Sequence, residues 1–588
     1  MLRNLPINLK KKIKDPLGRK VGDLYGSFNF FELFLFYLFA ALIFIGSFFA
    51  FYKLTDALQV EVPRRGGTIT EGVIGTPRFI NPLLTISEAD RDLTQLVYSG
   101  LLKATPDGKL INDLAESYTI SPDGLSYHFR IKEDVFFHDG QPVTADDVIF
   151  TVTMAQNDAL RSSRRASWQG VDLEKVSEKE IVFRLSEAYS PFLENTTMGI
   201  LPKHLWENFS AEEMAFSELN TRPVGSGPYK IKSLKKDSSG VPTNYILEPF
   251  DDYALGSPYI GEIKFKFYKN EANLIEAFNA GSVENINSVS AELVKDDLIN
   301  GHHVHHPVLP RVFGVFFNRN RAPLFTNKEV RVALDVATDK ERIVEEVLYG
   351  YGTPISGPIP PGAINKFGRS SAFSKVDDEK SFEDKLNEAK DILERNGWEL
   401  NEEGILIKET RNQDYILSFS IKTSNSPELK KVAEIVKENW EALGADIEIE
   451  IFDIGTLNQE VIRPRDYEAL LFGEVVGRDL DLFAFWHSSQ RNDPGLNIAL
   501  YTNISVDKIL EEIRRSLDSK EILGKFEEFK EEIDFDSPAV FLYSPDFIYL
   551  SRDNIKGIKV GTITTPSERF LNVEDWYINT DKIWSIFE

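Results

Sequence analysis

The 588-residue chain contains no cysteine, and this absence removes several kinds of chemistry at once. It excludes disulfide bonds, thiol catalysis, thiolate metal sites and a lipid-modified N-terminal cysteine as a membrane anchor. Basic residues are scarce beside acidic ones, since 67 Lys and Arg against 92 Asp and Glu give a net charge of −25. Because such a surface repels phosphate backbones, we expect no nucleic-acid partner.

The sequence also lacks the short motifs that mark common active sites. It contains no G-x-x-x-x-G-K-[ST] phosphate loop and no H-E-x-x-H zinc motif. Gly225-Ser226-Gly227 is typical of a turn, because a nucleophile elbow needs G-x-S-x-G between a strand and a helix. We therefore predict that the chain is not an enzyme and needs no cofactor, and we keep a hydrolase as an alternative class.

One uncharged apolar run, residues 33–51, stands out from the rest of the chain and is interrupted only by Gly46 and Ser47. Its length is close to the about 20 apolar residues that cross a bilayer. A cleavable signal has a shorter apolar core, roughly 7–15 residues, followed by small residues at the cleavage site. Here the large residues Tyr52 and Leu54 follow instead, so the run predicts a transmembrane helix, with a buried core helix as the alternative.

The charges on either side of this run predict its orientation. Residues 1–27 carry seven Lys and Arg, whereas residues 52–65 carry three. Because the more basic side stays in the cytoplasm, we expect the N-terminus inside and the bulk of the chain outside the cell membrane. The prediction is a basic cytoplasmic tail over 1–27, a transmembrane helix over 28–52 and a linker over 53–65.

Beyond the linker, the pattern predicts an α/β fold. Residues 68–74 have the composition of a strand, and Thr144 with Asp147 forms a capping box before a helix over 148–156. From Arg311 onward, apolar strands alternate with amphipathic helices. One such stretch, residues 416–452, is a strand, a helix and a strand in order, which is the pattern of a parallel βαβ unit.

Four of the eight histidines fall in the segment His302-His303-x-His305-His306. If this segment is a strand, His303 and His305 share one face and could together bind a Zn or Ni ion. No nearby Cys, Asp or Glu completes a set of four ligands. An exposed polar loop or sheet edge is therefore the preferred interpretation, and His303 and His305 remain weak candidates in a chain to which we assign no metal site.

Residues 479–487 place acidic residues beside a dense aromatic group. Aromatic side chains with a few fixed polar groups are what line a cleft for a small ligand. We take Asp479, Asp481, Trp486 and His487 as candidate ligand-binding residues. A capped helix with aromatic packing is the competing interpretation.

Residues 135–148, VFFHDGQPVTADDV, form the most distinctive motif in the chain. They resemble the signature V-x-F-H-D-G-x-P-[LVF]-T-A-[EDK]-D-V of the family-5 extracytoplasmic solute-binding proteins of ABC importers, which bind oligopeptides, dipeptides or nickel. Four further stretches support the resemblance and follow in the family's order: 80–84, 225–229, 327–339 and 486–490.

The resemblance implies a two-lobed α/β fold like that of the class II periplasmic binding proteins, with an extra subdomain, in addition to the N-terminal transmembrane helix. The implied parts are lobe I over 66–100, 221–310 and 538–588, a subdomain over 101–220, and lobe II over 311–537. The implied function is a membrane-anchored extracytoplasmic substrate-binding protein. It would capture peptides or a similar small polar solute between closing lobes and deliver them to the permease subunits of an ABC transporter.

The resemblance also implies ligand-binding segments. In peptide-binding relatives, two short backbone segments hold the ligand as added β-strands. The matching positions here are Ile86, Ser87, Glu88, Gly473, Glu474 and Val475.

Many peptide-binding relatives place an aspartate after the second segment to meet the ligand's α-ammonium group. The matching position here is Val476, so we expect Asp479 or Asp481 to take that part. Two alternatives stay open. One is an anchored receptor or chaperone with the same fold and no importer, and the other is a metal-uptake protein that uses residues 302–306.

Overall fold

A computed structural model of the chain describes residues 29–294, 300–368, 373, 380–411, 413–561 and 563–584. The predicted cytoplasmic tail, residues 1–27, lies outside these ranges. The chain divides into two compact units. The first ends at Arg64 and resumes at Asn579, and the second runs from Arg65 to Ile578.

The α-helices are given in chain order: α1 (Phe30–Ala57), α2 (Glu88–Val97), α3 (Ala145–Gln156), α4 (Arg165–Trp168), α5 (Phe192–Asn195), α6 (Lys203–Trp206), α7 (Ala211–Met214), α8 (Glu271–Asn279), α9 (Lys328–Val336), α10 (Lys340–Val347), α11 (Phe382–Arg395), α12 (Pro427–Leu443), α13 (Ile454–Thr456), α14 (Phe483–Trp486), α15 (Ile504–Arg515) and α16 (Ser519–Asp536).

The strands are given in the same way: β1 (Gln59–Arg64), β2 (Thr68–Ile74), β3 (Leu102–Ala104), β4 (Leu110–Asn112), β5 (Ala115–Ile120), β6 (Ser126–Ile131), β7 (Val171–Lys175), β8 (Glu180–Leu185), β9 (Tyr229–Lys236), β10 (Pro242–Pro249), β11 (Glu262–Tyr268), β12 (Asn285–Asn287), β13 (His302–His305), β14 (Arg311–Phe317), β15 (Gly352–Pro354), β16 (Glu399–Leu400), β17 (Leu406–Lys408), β18 (Tyr415–Ile416), β19 (Ser418–Ser424), β20 (Asp446–Phe452), β21 (Ala469–Val475), β22 (Ala539–Pro545), β23 (Tyr549–Arg552) and β24 (Asn579–Trp584).

The first unit consists of the apolar helix α1 and a two-stranded ribbon. Helix α1 is 28 residues long and is apolar on every side rather than along one stripe. Residues 30–55 of it have the length and composition of a membrane span, and their side chains are not buried. Strand β1 pairs antiparallel with β24, with Gln59 opposite Trp584 at one end of the ribbon and Arg64 opposite Asn579 at the other.

This unit corrects two predicted boundaries. Residues 53–57 of the predicted linker continue α1, and residues 59–64 form β1. Residues 579–584, assigned to lobe I from the resemblance, form β24 in the first unit. A ribbon between strands so far apart in the chain leaves no local sequence pattern, which is why the sequence alone suggested a linker.

The second unit contains two separate large sheets, one in each lobe. In lobe I the strand order is β13-β23-β12-β2-β11-β10-β9, and in lobe II it is β15-β22-β14-β21-β19-β20. In lobe I, the central strand β2 runs parallel to both of its neighbours, β11 and β12. Its residues Ile69 and Val73 are buried, as is typical of a strand inside a parallel sheet. These two sheets establish the two-lobed α/β class that the resemblance implied.

The predicted βαβ unit is present in lobe II. Strands β19 and β20 pair in parallel, and α12 connects them. Helix α12 begins with Pro427, which is favourable at the first turn, and ends at Gly444, whose φ of 109° is readily adopted only by glycine. Its buried face packs Val432, Val436 and Trp440 into the core of lobe II.

Two neighbouring strand pairs carry the chain between the lobes. The first crossing leads from β13 to β14, and the second leads from β22 to β23. The crossings run side by side, because the Leu309 amide donates to the Pro545 carbonyl at 2.9 Å and the Phe547 amide donates to the Pro307 carbonyl at 2.8 Å. Because β22 belongs to the sheet of lobe II, the second crossing lies after Pro545, and the boundary predicted at residue 538 is one strand too early.

The subdomain is built on the sheet β5-β6-β8-β7 and on α3. The capping box predicted at Thr144 is present, since its amide and hydroxyl both donate to the Asp147 carboxylate, at 2.9 and 2.8 Å. Short polar side chains at this position satisfy amides that a helix start leaves without partners.

A fully buried ion cluster fixes the C-terminal part of lobe I. The Arg569 guanidinium donates to both Asp92 oxygens at 2.8 and 2.7 Å, and it lies 3.4 Å from Glu71. Tyr549 and Asn285 each donate to Glu71 at 2.8 Å. Burial raises the pKa of Glu71, with Arg569 opposing that shift. The cluster ties residues 564–571 to α2 and β2, and so sets one wall of the cleft described next.

Candidate ligand-binding cleft

A cavity of about 320 Å³ lies between the lobes of the second unit. Lobe I, the subdomain and lobe II all contribute to its wall. Residues from the three parts include Tyr98, Arg164, Glu194, Arg478, Asp479 and Glu568. A site that is lined from both lobes allows ligand contact and lobe closure to favour each other.

Arg478 of lobe II contacts acids on the other side of this cavity. Its guanidinium lies 3.5 Å from Glu194 of the subdomain and also contacts Glu568 of lobe I. Lys366 of lobe II adds a second cation, 3.7 Å from Glu194, and donates to the Arg478 carbonyl. We call these four residues the cleft ion cluster. Burial lowers the pKa of Arg478, but the two carboxylates outweigh that effect and leave it above its usual value.

Asp479, predicted as a ligand-binding residue, lies in the cavity wall. Its carboxylate accepts a weak bond from the Asp481 amide at 3.4 Å, and within the described residues no Lys or Arg forms an ion pair with it. The carboxylate folds back over Gly477, where a Cβ atom would lie 2.4 Å from one of its oxygens. Burial, and then the nearby Asp481, raise the pKa of Asp479. Lys366 and Arg514 oppose that shift without forming an ion pair with Asp479.

Asp481, the second candidate acid, is already paired. Arg514 donates to its two oxygens at 2.8 and 2.6 Å, and the Tyr189 hydroxyl donates to it at 3.2 Å. Tyr189 belongs to the subdomain, so this group is a further contact between lobes. Asp481 does not line the cavity. Asp481 is therefore held by protein partners, whereas Asp479 lines the cavity. The sequence alone could not distinguish these two acids.

The first predicted backbone segment has its amides occupied. The amides of Ile86 and Ser87 donate to the Asp90 carboxylate at 3.2 and 2.9 Å, and Glu88 is the first residue of α2. The cavity wall takes Thr85 from this region rather than residues 86–88. The capping box thus occupies the amides of residues 86 and 87, and ligand binding by residues 86–88 stays a prediction.

The second predicted segment, Gly473 to Val475, is the end of β21. On one side it pairs with β14, while the parallel pairing with β19 involves only Ala469 and Leu470 of β21. The other edge of residues 473–475 has no strand partner among the described residues. Ligand binding by the backbone of residues 473–475 stays a prediction.

The Glu474 side chain, in contrast, points into protein. It is 4% exposed, and neither carboxylate oxygen has a hydrogen-bond partner among the described residues. Burial raises the pKa of Glu474 well above the usual value of a glutamate. The cavity wall instead uses Gly477, Arg478 and Asp479, which follow this segment.

Trp486 and His487 are buried, and neither lines the cavity. Trp486 is fully buried against Phe316, Tyr501 and Phe541, and it does not line the cavity. His487 stacks on Phe483 with ring centroids 3.9 Å apart. The competing interpretation of this stretch, aromatic packing around a capped helix, describes the short helix α14. Composition alone could not decide between a cleft and a core.

His303 and His305 share a face of β13, as predicted, with ring centroids 4.5 Å apart. His305 also bonds the Ser551 hydroxyl at 2.8 Å, and burial lowers its pKa to about 4. Among the described residues no group of three or more possible metal ligands occurs, and neither histidine lines the cavity. The pair thus gains no further ligand from the part of the chain that the structure shows.

The distinctive motif at residues 135–148 packs behind one wall of the cavity. His138 bonds the Gly227 carbonyl at 3.0 Å and accepts from the Gly225 amide at 3.4 Å. At Gly225 a Cβ atom would lie 2.1 Å from the Val97 carbonyl oxygen, so only glycine allows this approach to the end of α2. The motif and the glycine turn, both identified in the sequence, therefore support the same wall.

Several charged residues of the wall carry no sequence signal. Glu194 and Glu568 are single charged side chains in separate regions of the chain, with no spacing that links them. The same holds for Lys366, which lies 3.7 Å from Glu194 but does not line the cavity. Arg478 could have been suspected only because it adjoins Asp479. Arg164, in the loop before α4, was likewise not predicted.

Comparison with known proteins agrees with this architecture. Residues 109–494, more than half of the chain, match the family described as bacterial extracellular solute-binding proteins, family 5 Middle. The oligopeptide-binding protein AppA of Bacillus subtilis is 29% identical over 524 residues, covering 88% of this chain and 92% of that protein.

Two solved structures are similar over nearly their whole length. The AppA structure from Bacillus subtilis, in complex with a nonapeptide, has a TM-score of 0.64 at 28% identity and covers 88% of this chain and 100% of that one. NikZ from Campylobacter jejuni, in complex with Ni(L-His), has a TM-score of 0.65 at 25% identity and covers 87% and 99%. With the two lobes and the cleft between them, these matches show that the chain belongs to family 5 of the bacterial extracellular solute-binding proteins, the substrate-binding components of ABC importers rather than enzymes.

Proposed function

We propose that this protein is a membrane-anchored receptor that captures peptides between its lobes and delivers them to the permease of an ABC importer. The observation that carries the proposal is Asp479, which forms no ion pair with a Lys or Arg of the described residues and lies in a cavity lined from both lobes. A free peptide presents an α-ammonium group that matches this acid. AppA of Bacillus subtilis, which is named for oligopeptide binding and was solved with a nonapeptide, supports the same ligand class.

The open edge of β21 supplies a second means of binding that suits peptides in general. Main-chain hydrogen bonds to residues 473–475 do not depend on the side chains of the ligand. We therefore assign Asp479 and the backbone of residues 473–475 to ligand binding. Asp481, Trp486 and His487 hold this part of lobe II in shape.

Closure of the two lobes around the ligand follows from the positions of the ligand-binding groups. Gly477, Arg478 and Asp479 of the cavity wall belong to lobe II, as does the β21 edge that precedes them, and the other wall residues belong to lobe I and the subdomain. A ligand that contacts both sides stabilises the closed state by its extra contacts there. We propose lobe I over residues 66–100, 221–310 and 546–578, the subdomain over 101–220, and lobe II over 311–545.

Helix α1 supports retention in the membrane. A helix that is apolar all round and exposed along its length is suited to lipid, and its 28 residues exceed the apolar core of a cleavable signal. Measuring the mass of the mature protein from cell membranes tests this step. An intact chain that carbonate washing does not extract is expected, whereas a mature chain that begins after α1 would show that the helix is a signal peptide.

Peptide binding is tested by isothermal titration of the full chain in detergent with tri- to pentapeptides. We expect saturable binding that weakens at least tenfold in Asp479→Asn. The control is Asp391→Asn, which removes an exposed acid of α11 that pairs with Arg395 and should leave affinity unchanged. Absence of binding by any peptide to the folded protein, or equal affinity in Asp479→Asn, would contradict the proposal.

A further inference from the structure

The first unit places one aromatic side chain, Trp584, beside the end of the apolar helix. Helix α1 ends at Ala57, and the Leu58 amide still donates to the Leu54 carbonyl at 3.1 Å. Strand β1 begins at Gln59, directly after Leu58, so no linker separates the helix from the ribbon. Strand β24 runs antiparallel to β1 and therefore returns toward the helix, where its Trp584 lies opposite Gln59.

The length of α1 relates this position to a bilayer. The uncharged apolar run ends at Phe51, and the helix rises by about 9 Å from there to Ala57, at about 1.5 Å per residue. The layer of lipid headgroups on each side of the hydrocarbon core is roughly 5–8 Å thick. Cα atoms of directly paired strand residues, such as Gln59 and Trp584, lie about 5 Å apart. Trp584 is therefore close to the outer boundary of the headgroup layer when α1 spans the membrane.

The ribbon itself does not account for a large apolar side chain at this position. Side chains that are directly opposite in an antiparallel pair share a face. The face of Trp584 carries its partner Gln59 and then the pair Lys582 and Glu61, all of which are polar. Trp584 is 38% exposed, whereas each of the six other tryptophans of the chain is at most 2% exposed. An indole that the protein leaves uncovered beside a membrane-type helix points to lipid as its partner.

We infer that Trp584 inserts its ring into the headgroup layer of the bilayer beside α1, so that β24 provides a second membrane contact. This inference rests on the membrane anchoring proposed above. An indole suits that layer, because its ring is apolar and its N–H can donate to water or to lipid headgroups. The same layer receives Tyr52 of α1, the residue that follows the apolar run.

The tryptophans of the chain make this contact measurable without a label. Of the seven tryptophans, Trp584 is the only one in the first unit, and the six in the second unit are buried. The probe is a phosphatidylcholine vesicle brominated on the acyl-chain carbons nearest the headgroup, since bromine quenches a tryptophan only at short range. The emission of the full chain is compared in brominated and unbrominated vesicles.

Three variants complete the experiment. Trp584→Phe removes the reporter and keeps an aromatic ring. In that background, Tyr52→Trp reports whether α1 itself lies in the bilayer. Thr580→Trp, also in that background, is the matched control, because Thr580 is exposed on the same face of β24 and lies about 13 Å further along the strand.

We expect brominated lipid to quench the wild type about threefold more than Trp584→Phe, because only Trp584 reaches the interface. Tyr52→Trp should restore the quenching, and Thr580→Trp should not. This pattern would show that the end of the ribbon next to α1, and not the whole ribbon, contacts the bilayer.

Quenching of Tyr52→Trp without quenching of the wild type would overturn the inference and leave membrane anchoring intact. Equal quenching of the wild type and Trp584→Phe would overturn it as well, and so would quenching of Thr580→Trp as strong as that of the wild type. If neither the wild type nor Tyr52→Trp is quenched, the anchoring and the inference fail together.

Discussion

The Arg478 guanidinium lies 3.5 Å from the Glu194 carboxylate, and this contact joins lobe II to the subdomain across the cleft. Both side chains are largely buried, and Glu568 and Lys366 complete the cluster around them. Removing one member of a buried ion cluster leaves its partner charged and poorly solvated, which costs more than the pair itself contributes. We therefore expect the attraction between the charges of the cleft ion cluster to help hold the lobes closed.

The first prediction concerns this cluster. Arg478→Gln should shift the protein toward an open form and weaken peptide binding about tenfold, which corresponds to about 1.4 kcal/mol. Small-angle scattering of the protein without peptide should show a larger radius of gyration. Arg515→Gln, which breaks an exposed pair with Glu511 on α15, should change neither property. An unchanged radius and affinity in Arg478→Gln would show that the cluster does not hold the lobes together.

The second prediction concerns stability. Arg569→Met should lower the free energy of unfolding by about 3–5 kcal/mol, because it leaves Asp92 and Glu71 buried without their cation. Urea unfolding followed by tryptophan fluorescence measures the change. Arg552→Gln, which breaks a half-exposed pair with Glu284, should cost less than about 1 kcal/mol. Similar losses in the two variants would contradict the importance of the buried cluster.

The third prediction concerns Glu474, a buried acid whose raised pKa reflects burial alone. A pKa that is raised in the folded state means that the protonated acid stabilises the fold relative to the unfolded chain. This stabilisation is lost as pH rises above the ordinary pKa of 4.5. Glu474→Gln should therefore increase the free energy of unfolding at pH 8 relative to the wild type, and less so at pH 4.5. Peptide affinity should not change, whereas a loss of affinity would show that this side chain contacts the ligand.

The fourth prediction concerns acid. Burial, helped by the nearby Lys230, lowers the pKa of His138 from 6.5 to about 4, while the hydrogen bond to the Gly227 carbonyl opposes that shift. Between pH 6.5 and 4 the unfolded chain takes up a proton that the folded chain does not, so stability falls as pH falls through that window. His138→Gln should lose about 1–2 kcal/mol less than the wild type between pH 7 and pH 5. His305, with a pKa also lowered to about 4, contributes equally to both proteins.

Unfolding free energies at the two pH values check this prediction, and only the difference between them matters. Any loss of unfolding free energy that the substitution causes equally at both pH values cancels in this difference. An acid sensitivity that is the same in the variant and the wild type would contradict the assignment of His138 to the acid response.

The fifth prediction concerns the ribbon of the first unit and uses the absence of native cysteine. Val60 lies opposite Ile583 in the β1–β24 pairing. Cysteines at these two positions should form a disulfide on mild oxidation, since Cα atoms of directly paired strand residues fall within disulfide range. Cysteines at Val60 and Thr580, which are three pairs apart, should not. Equal cross-linking of both pairs would contradict the register.

How much of this structure the sequence predicted depends on whether a feature is local. Strand β2 and the βαβ unit of lobe II were predicted because alternation and helical spacing are visible within a few residues. Residues 539–552, in contrast, form two strands, β22 and β23, with the crossing between lobes in the middle of one largely apolar stretch. A continuous apolar pattern does not record a change of sheet.

The cleft shows the same limit more strongly. Asp479 was predicted, but Asp481 looked equivalent to it until Arg514 was seen to occupy its oxygens. Trp486 has the composition of a cleft residue and lies in the core. Arg164 and Glu568 come together only through the fold, from positions far apart in the chain, so no pattern of neighbours could have identified them.

The most direct test of peptide capture by lobe closure is a distance measured between the lobes. The cysteine-free chain allows spin labels at only two sites, and the exposed residues Phe216 of the subdomain and Ile454 of lobe II are suitable once replaced by cysteine. We predict that a saturating peptide with free termini shifts the distribution of label distances in the full chain toward a single shorter value. A distribution that the bound peptide leaves unchanged would contradict capture between closing lobes.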